Sequence, residues 1–222
     1  MPQFQRIALA LALSATANAA SASQANTGRV EIFACPAKGS VSRSINLSSG
    51  TALWSVEGPS LTSGTARATV IDPASLPAGW IARLPGAAWV QALPQTIAVP
   101  HAPGDYIFVA RFRVMPGKRM PMLLLSGQVA GDEGFDLNLV EPSPPGQWIG
   151  GGNGGSDDSP GVVAQTELQT FALGTSADGS GKPLGSRPGL YQLRLTLRNT
   201  VAAPTLGLLA QLKLTMNCSA KP

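Results

Sequence analysis

The sequence predicts an all-β chain, an antiparallel β-sandwich in a single domain with long Gly- and Pro-rich loops. Three observations lead there. Two runs near the carboxy terminus alternate apolar and polar residues with period two, no amphipathic helical period of useful length occurs, and clusters of Gly and Pro separate the apolar segments throughout. In the first run Tyr191, Leu193, Leu195 and Leu197 face one way and Gln192, Arg194, Thr196 and Arg198 the other. In the second, Leu206, Leu208, Ala210, Leu212, Leu214 and Met216 oppose Gly207, Leu209, Gln211, Lys213, Thr215 and Asn217. Successive strand side chains leave on opposite faces, so each run has one dry face. The break from Asn199 to Thr205 holds Pro204, which cannot donate to a ladder, and reads as the loop of one long antiparallel hairpin.

From the amino terminus, residues 1–19 read as a signal peptide. Arg6 supplies positive charge, Ile7 to Ala15 a short apolar core, and Ala17-Asn18-Ala19 a small-x-small cleavage site. Residues 20–28 form a small, polar, flexible leader, and 29–222 the sandwich. The chain is therefore expected to be exported, secreted or periplasmic, without membrane insertion. Its 16 basic and 12 acidic residues give +4, and removing Arg6 with the signal leaves +3. The basic residues are scattered without interleaved aromatics, which argues against nucleic-acid binding. Two cysteines in an oxidising compartment favour a Cys35–Cys218 disulfide closing nearly the whole domain, worth up to about 5 kcal/mol by loop entropy.

The strands follow in order. Arg29 to Ala34 is a first strand, and Ile45 and Leu47 mark a short edge strand. Trp54 to Glu57 and Thr65 to Ile71 form a pair. Tyr106 to Val114 is a central strand introduced by the Pro103-Gly104-Asp105 turn. Pro121 to Val129 is apolar on both faces in its first half, as in a buried strand, and Gly134 to Val140 alternates. Glu141 to Gly161, with four prolines and seven glycines, reads as a long surface loop. Val162 to Leu173 holds a further strand or two, and Gly174 to Pro188 is another loop.

The landmarks Trp54, then Pro77, Trp80 and Ile81, then Trp89 and Val90, then Pro103, Gly104 and Tyr106 form a series. It continues through Gly127, Ala130, Asp132, Leu137 and Asn138 to Gly189, Leu193, Asn199, Gly207 and Leu208. The series resembles exported bacterial β-sandwich domains related to galactose-binding-like jelly rolls. The resemblance implies a jelly-roll-like sandwich and a ligand-contact role at Asn138, where this chain departs by carrying Leu139 in place of a turn glycine. Relatives often end in a sorting helix, which is missing here.

The sole histidine, His101, lies in a proline-flanked turn and reads as an exposed loop residue; no Gly-x-Ser-x-Gly elbow or phosphate-cradling glycine motif accompanies it. Asp132, Glu133 and Asp136 cluster where a strand ends, and Asp157-Asp158 sit in the Gly-rich loop. These carboxylates suit solvated turns first, calcium second, and glycoside hydrolysis third. No other cofactor is implied. Trp148, isolated in a polar segment, is the aromatic most suited to stack on a sugar ring, whereas Trp54, Trp80 and Trp89 read as inter-sheet packing. Three functions are thus expected in order: a non-catalytic module binding glycan or another extracellular polymer through Trp148, Asp132, Asp136 and Asn138; a structural or adhesive subunit that self-assembles through strand edges; and a glycan hydrolase.

Overall fold

The computed structural model describes residues 29–32, 35–62, 64–81, 84–94, 100–117, 119, 121–132, 135–140, 148–154, 168–173, 188–203 and 205–218. The predicted signal peptide and leader, Glu133 and Asp157-Asp158 lie outside them. The strands are β1 (Arg29–Ile32), β2 (Val41–Asn46), β3 (Trp54–Glu57), β4 (Thr65–Arg67), β5 (Thr69–Val70), β6 (Val90–Gln91), β7 (Gly104–Val114), β8 (Met122–Gly131), β9 (Phe135–Val140), β10 (Trp148–Gly154), β11 (Gln169–Leu173), β12 (Gly189–Asn199) and β13 (Gly207–Cys218). Among the described residues the single helical piece is a 3-10 turn at Pro73–Ser75, capped by the Asp72 carboxylate accepting from the Ala74 amide. No helix among them is long and apolar enough to cross a membrane.

Two sheets form. The first runs β10-β9-β12-β7-β3-β4, with β1 parallel to β7; the second runs β11-β8-β13-β6-β5, with β2 on β13. One flank of β7 is shared, β3 taking Ile107 to Ala110 and β1 taking Arg111 to Val114. One flank of β13 is shared likewise by β6 and β2. Eight strands form nested antiparallel pairs, β2 with β13, β7 with β12, β8 with β11 and β9 with β10. The contacts β8 with β13 and β9 with β12 then complete the two sheets. This is one long antiparallel ribbon rolled over itself, the jelly-roll arrangement, with β3 to β6 inserted between its first and second strands.

The two alternating runs at the carboxy terminus are strands as predicted, but they do not form a hairpin. β12 lies in the first sheet and β13 in the second. Each apolar face closes against the opposite sheet, so both runs bury their leucines without pairing side by side. Burying a leucine fully contributes roughly 1.5–3 kcal/mol, and Leu193, Leu195, Leu197, Leu208, Leu212 and Leu214 are all buried. Phe112 and Tyr191, partners across β7 and β12, stack with ring centroids 5.2 Å apart. Trp54 is buried in this core, as expected, its indole N–H donating to the Leu47 carbonyl at 2.9 Å. Cys35 and Cys218 are bonded across 183 positions of chain, tying the segment after β1 to the end of β13.

Three local expectations are corrected. Trp80 and Trp89 do not pack between the sheets. With Ile71 and Leu84 they form a second cluster on the outer face of the second sheet, over Ala130 and Leu209. Leu209, on the nominally wet side of β13, is buried by this cap, and Gly207 carries no side chain because the Trp80 ring lies where a Cβ would go. The start of β8 is not buried on both faces, since Met122 and Leu124 are exposed at 40% and 37%. Trp148 to Gly154 is not loop but strand, hydrogen-bonded along β9. Glycine has poor strand propensity and no side chain to alternate, so only the neighbour's ladder reveals this element.

Candidate functional site

Beyond the Trp80–Trp89 cap, the outer face of the second sheet is polar along β2 and β13, with Met122 and Leu124 of β8 exposed beside Asn217 and Thr215. Alternation puts Ser42, Ser44 and Asn46 of β2 on this face, beside Asn217, Thr215 and Lys213 of β13. The Ser42 hydroxyl donates to Asn217 Oδ1 at 2.7 Å, and the Ser44 and Thr215 hydroxyls meet at 3.2 Å. On the other side of β13, Lys213 lies opposite Ser126 and Gln211 opposite Gln128. A cleft of about 450 Å³ opens here, its floor formed by Ser44, Asn46, Ser48, Ser126, Gly127, Gln211 and Lys213 and its wall by Pro85. That volume lies within the usual range for small-molecule sites, about 300–1,000 Å³.

The wall belongs to the cap. Leu84 and Ala87 bridge across Pro85-Gly86, and Gly86 takes φ +70°, a conformation glycine adopts without strain. Gln211 Nε2 donates to the Pro85 carbonyl at 2.7 Å, fixing the wall to the floor. Asn46 Oδ1 accepts from the Ser48 amide at 2.8 Å, which leaves its amide nitrogen as a donor, near Gly86. The Ser48 hydroxyl is engaged with the Leu212 backbone. Lys213 is exposed and has no ion pair among the described residues. The floor passes from β8 to β13 at Gly127, where a Cβ would come 2.0 Å from the Gln211 carbonyl oxygen. The lining thus offers amide, hydroxyl and ammonium groups beside the apolar Pro85, Ile45 and Leu212, with no carboxylate, histidine or cysteine. It can bind a hydroxyl-rich ligand but holds no general acid–base pair.

The residues selected from sequence lie elsewhere. Asp136 and Asn138 are on the outer face of the first sheet, Asp136 beside Thr196 and Asn138 beside Arg194 of β12; Asn138 is 7% exposed. The Trp148 backbone pairs with Val140 in the same sheet. Asp132 follows β8 in the second sheet, its amide donating to the Gly207 carbonyl at 2.9 Å. Among the described residues no three His, Cys, Asp or Glu side chains gather as a metal site, and Glu133 is outside them. The cleft residues were legible only as the wet side of their strands. Period two gives the face of each, but which strands adjoin is a property of the rolled topology.

His101 is corrected from an exposed turn residue to a buried one, 2% exposed. Its backbone exchanges hydrogen bonds with Ala203 at 2.8 and 3.2 Å. Asn199 Nδ2 donates to the carbonyls of His101 and Ala102, and the Ser60 and Tyr106 hydroxyls bond each other and Ala102. The imidazole stands edge-on to Tyr106 at 5.6 Å, and neither ring nitrogen has a hydrogen-bond partner among the described residues. Burial pushes its pKa below the ordinary histidine value, against the opposing effect of the Ala203 backbone. A histidine whose pKa falls on folding is charged more readily in the unfolded chain. Its neutral form therefore supports stability fully above the unfolded pKa of about 6.5, and that support is lost as pH falls below it. Urea unfolding at neutral pH and near pH 5 is expected to show lower stability in acid, with a smaller difference in His101→Phe. Equal pH dependence in the two proteins would contradict this.

Comparison with models of protein families, with curated protein sequences and with solved structures returned no match.

Proposed function

We propose that this chain is an exported, non-catalytic jelly-roll module that binds glycan or another hydroxyl-rich extracellular polymer through the cleft on its second sheet. The observation that carries this reading is the lining itself: Asn46, Ser126, Gln211 and Lys213 converge beside Pro85 without a carboxylate among them. Neutral hydroxyls are recognised by such convergent amide and hydroxyl groups, and the missing acid pair disfavours glycoside hydrolysis. The Cys35–Cys218 disulfide supports an oxidising, extracytoplasmic location, whether periplasm or medium. The resemblance to exported galactose-binding-like sandwiches points the same way.

A glycan array probed with labelled protein tests the reading. Asn46→Ala together with Lys213→Gln is expected to weaken binding of any retained glycan about tenfold, the effect of one or two lost hydrogen bonds, with the melting temperature unchanged. Loss on Trp148→Ala with the cleft variant unaffected would instead assign the contact to the first sheet and overturn the cleft as the site.

A further inference from the structure

We propose that the outer face of the first sheet is a second binding surface, independent of the cleft, for a carboxylate-bearing polysaccharide. The register of the sheet assembles it. One row across the strands reads Arg67 of β4, Ser55 of β3, Val109 of β7, Arg194 of β12 and Asn138 of β9. Arg111 and Arg113 extend the same face along β7, about 6.8 Å apart at the usual strand rise. Arg198 stands on the far end of β12, beside Asp105.

Every cation on this face among the described residues is arginine. The planar guanidinium presents paired N–H groups that match the two oxygens of a carboxylate, whereas lysine offers a point charge. The face already engages carboxylates of its own: Arg111 lies 4.0 Å from Glu57 while donating to the Ser55 hydroxyl, and Arg198 lies 3.8 Å from Asp105. Asp136 lies in the row of Glu57, Ile107 and Thr196, and β1 sets Arg29 beside Arg111 and Glu31 beside Arg113. By register four acids meet six arginines on this face, which leaves the arginines in excess. Arg194 has no ion pair among the described residues, and Arg113, beside Glu31 in register, has its Nε shut from water with no hydrogen-bond partner among them. Such positive charge in rows on a strand face is complementary to a linear chain bearing one carboxylate per sugar. The phosphates of nucleic acid and anionic lipid also accept the guanidinium fork, and the test separates them from the polysaccharide.

Affinity electrophoresis of the intact protein in gels containing polygalacturonate tests the proposal, with dextran, anionic vesicles and double-stranded DNA as comparison probes. Retardation by polygalacturonate but not dextran is expected, weakening as salt rises. Arg113→Gln with Arg194→Gln should reduce the affinity about tenfold, as loss of two partly exposed charge pairs would. The pair of changes Arg67→Gln and Arg198→Gln, at exposed positions that spare the half-buried arginines, should give a smaller loss in a protein of nearly unchanged melting temperature. Arg194→Lys should lie between wild type and Arg194→Gln. Lys213→Gln in the cleft should leave this binding intact, which separates failure here from failure of the cleft. No retardation by polygalacturonate, equal retardation of the double variant, or equally tight binding of vesicles or DNA would each overturn it.

Discussion

Replacing Cys35 and Cys218 together by alanine is expected to destabilise the fold by up to about 5 kcal/mol, the loop entropy released when a 183-position crosslink is removed. A small domain has a total stability of about 5–15 kcal/mol, so this change decides whether the chain stays folded under mild stress. The location adds to the argument. Cys35 follows β1, whose four residues are held only along half of one flank of β7, and Cys218 closes β13. Without the bond the loss falls first on β1 and on the Cys35–Arg119 bridge, including the Arg119 guanidinium that donates to the Pro36 and Gly39 carbonyls. Denaturant unfolding of oxidised, reduced and double-alanine proteins checks this. Equal midpoints in all three would show that the crosslink contributes nothing.

Gly127→Ala is expected to be the most damaging single methyl addition at the cleft, costing about 3 kcal/mol or more. The residue sits in β8 opposite Leu212 with φ +156°, a conformation that side chains rarely adopt. More decisively, the added Cβ would lie 2.0 Å from the Gln211 carbonyl oxygen and 3.0 Å from Leu212 Cα. Both are backbone atoms of the central strand of the second sheet, and they cannot swing aside as a side-chain tip would. Relief requires β8 and β13 to separate, which removes ladder hydrogen bonds and reshapes the floor between Ser126 and Lys213. Thermal unfolding and binding should fall together in this variant, in contrast to Asn46→Ala with Lys213→Gln. A melting temperature within a degree or two of wild type would show that the strands part at little cost.

Much of the fold was legible because leucine and aromatic residues recur every second position in β7, β9, β12 and β13. The pairing was not, because alternation assigns a face and is silent about partners. β12 and β13 have matched oily sides whether they lie in one sheet or in two. The cap was hidden for a related reason: Trp80 and Trp89 fit an inter-sheet core by composition, and only the burial of Leu209 and Ala130 beneath them places them outside it. The cleft was hidden most completely. Asn46, Ser126 and Lys213 are 80 or more positions apart in places and look like ordinary solvent-facing residues until the roll sets β2 and β8 on either side of β13. Of the residues chosen from sequence, Asp136 and Asn138 share the outer face of the first sheet, Asn138 beside Arg194 and Asp136 beside Thr196, a gathering that no local spacing announced.

The first and last strands of the roll are neighbours, and β13 is the partner of β8, β6 and β2 alike. A ribosome or a translocation pore delivers the chain from its amino terminus, so the second sheet lacks its keystone until the final dozen residues of that strand emerge. Contacts this distant in sequence make assembly slow and late. The polypeptide accordingly stays open until β13 is delivered and locks when Cys218 meets Cys35.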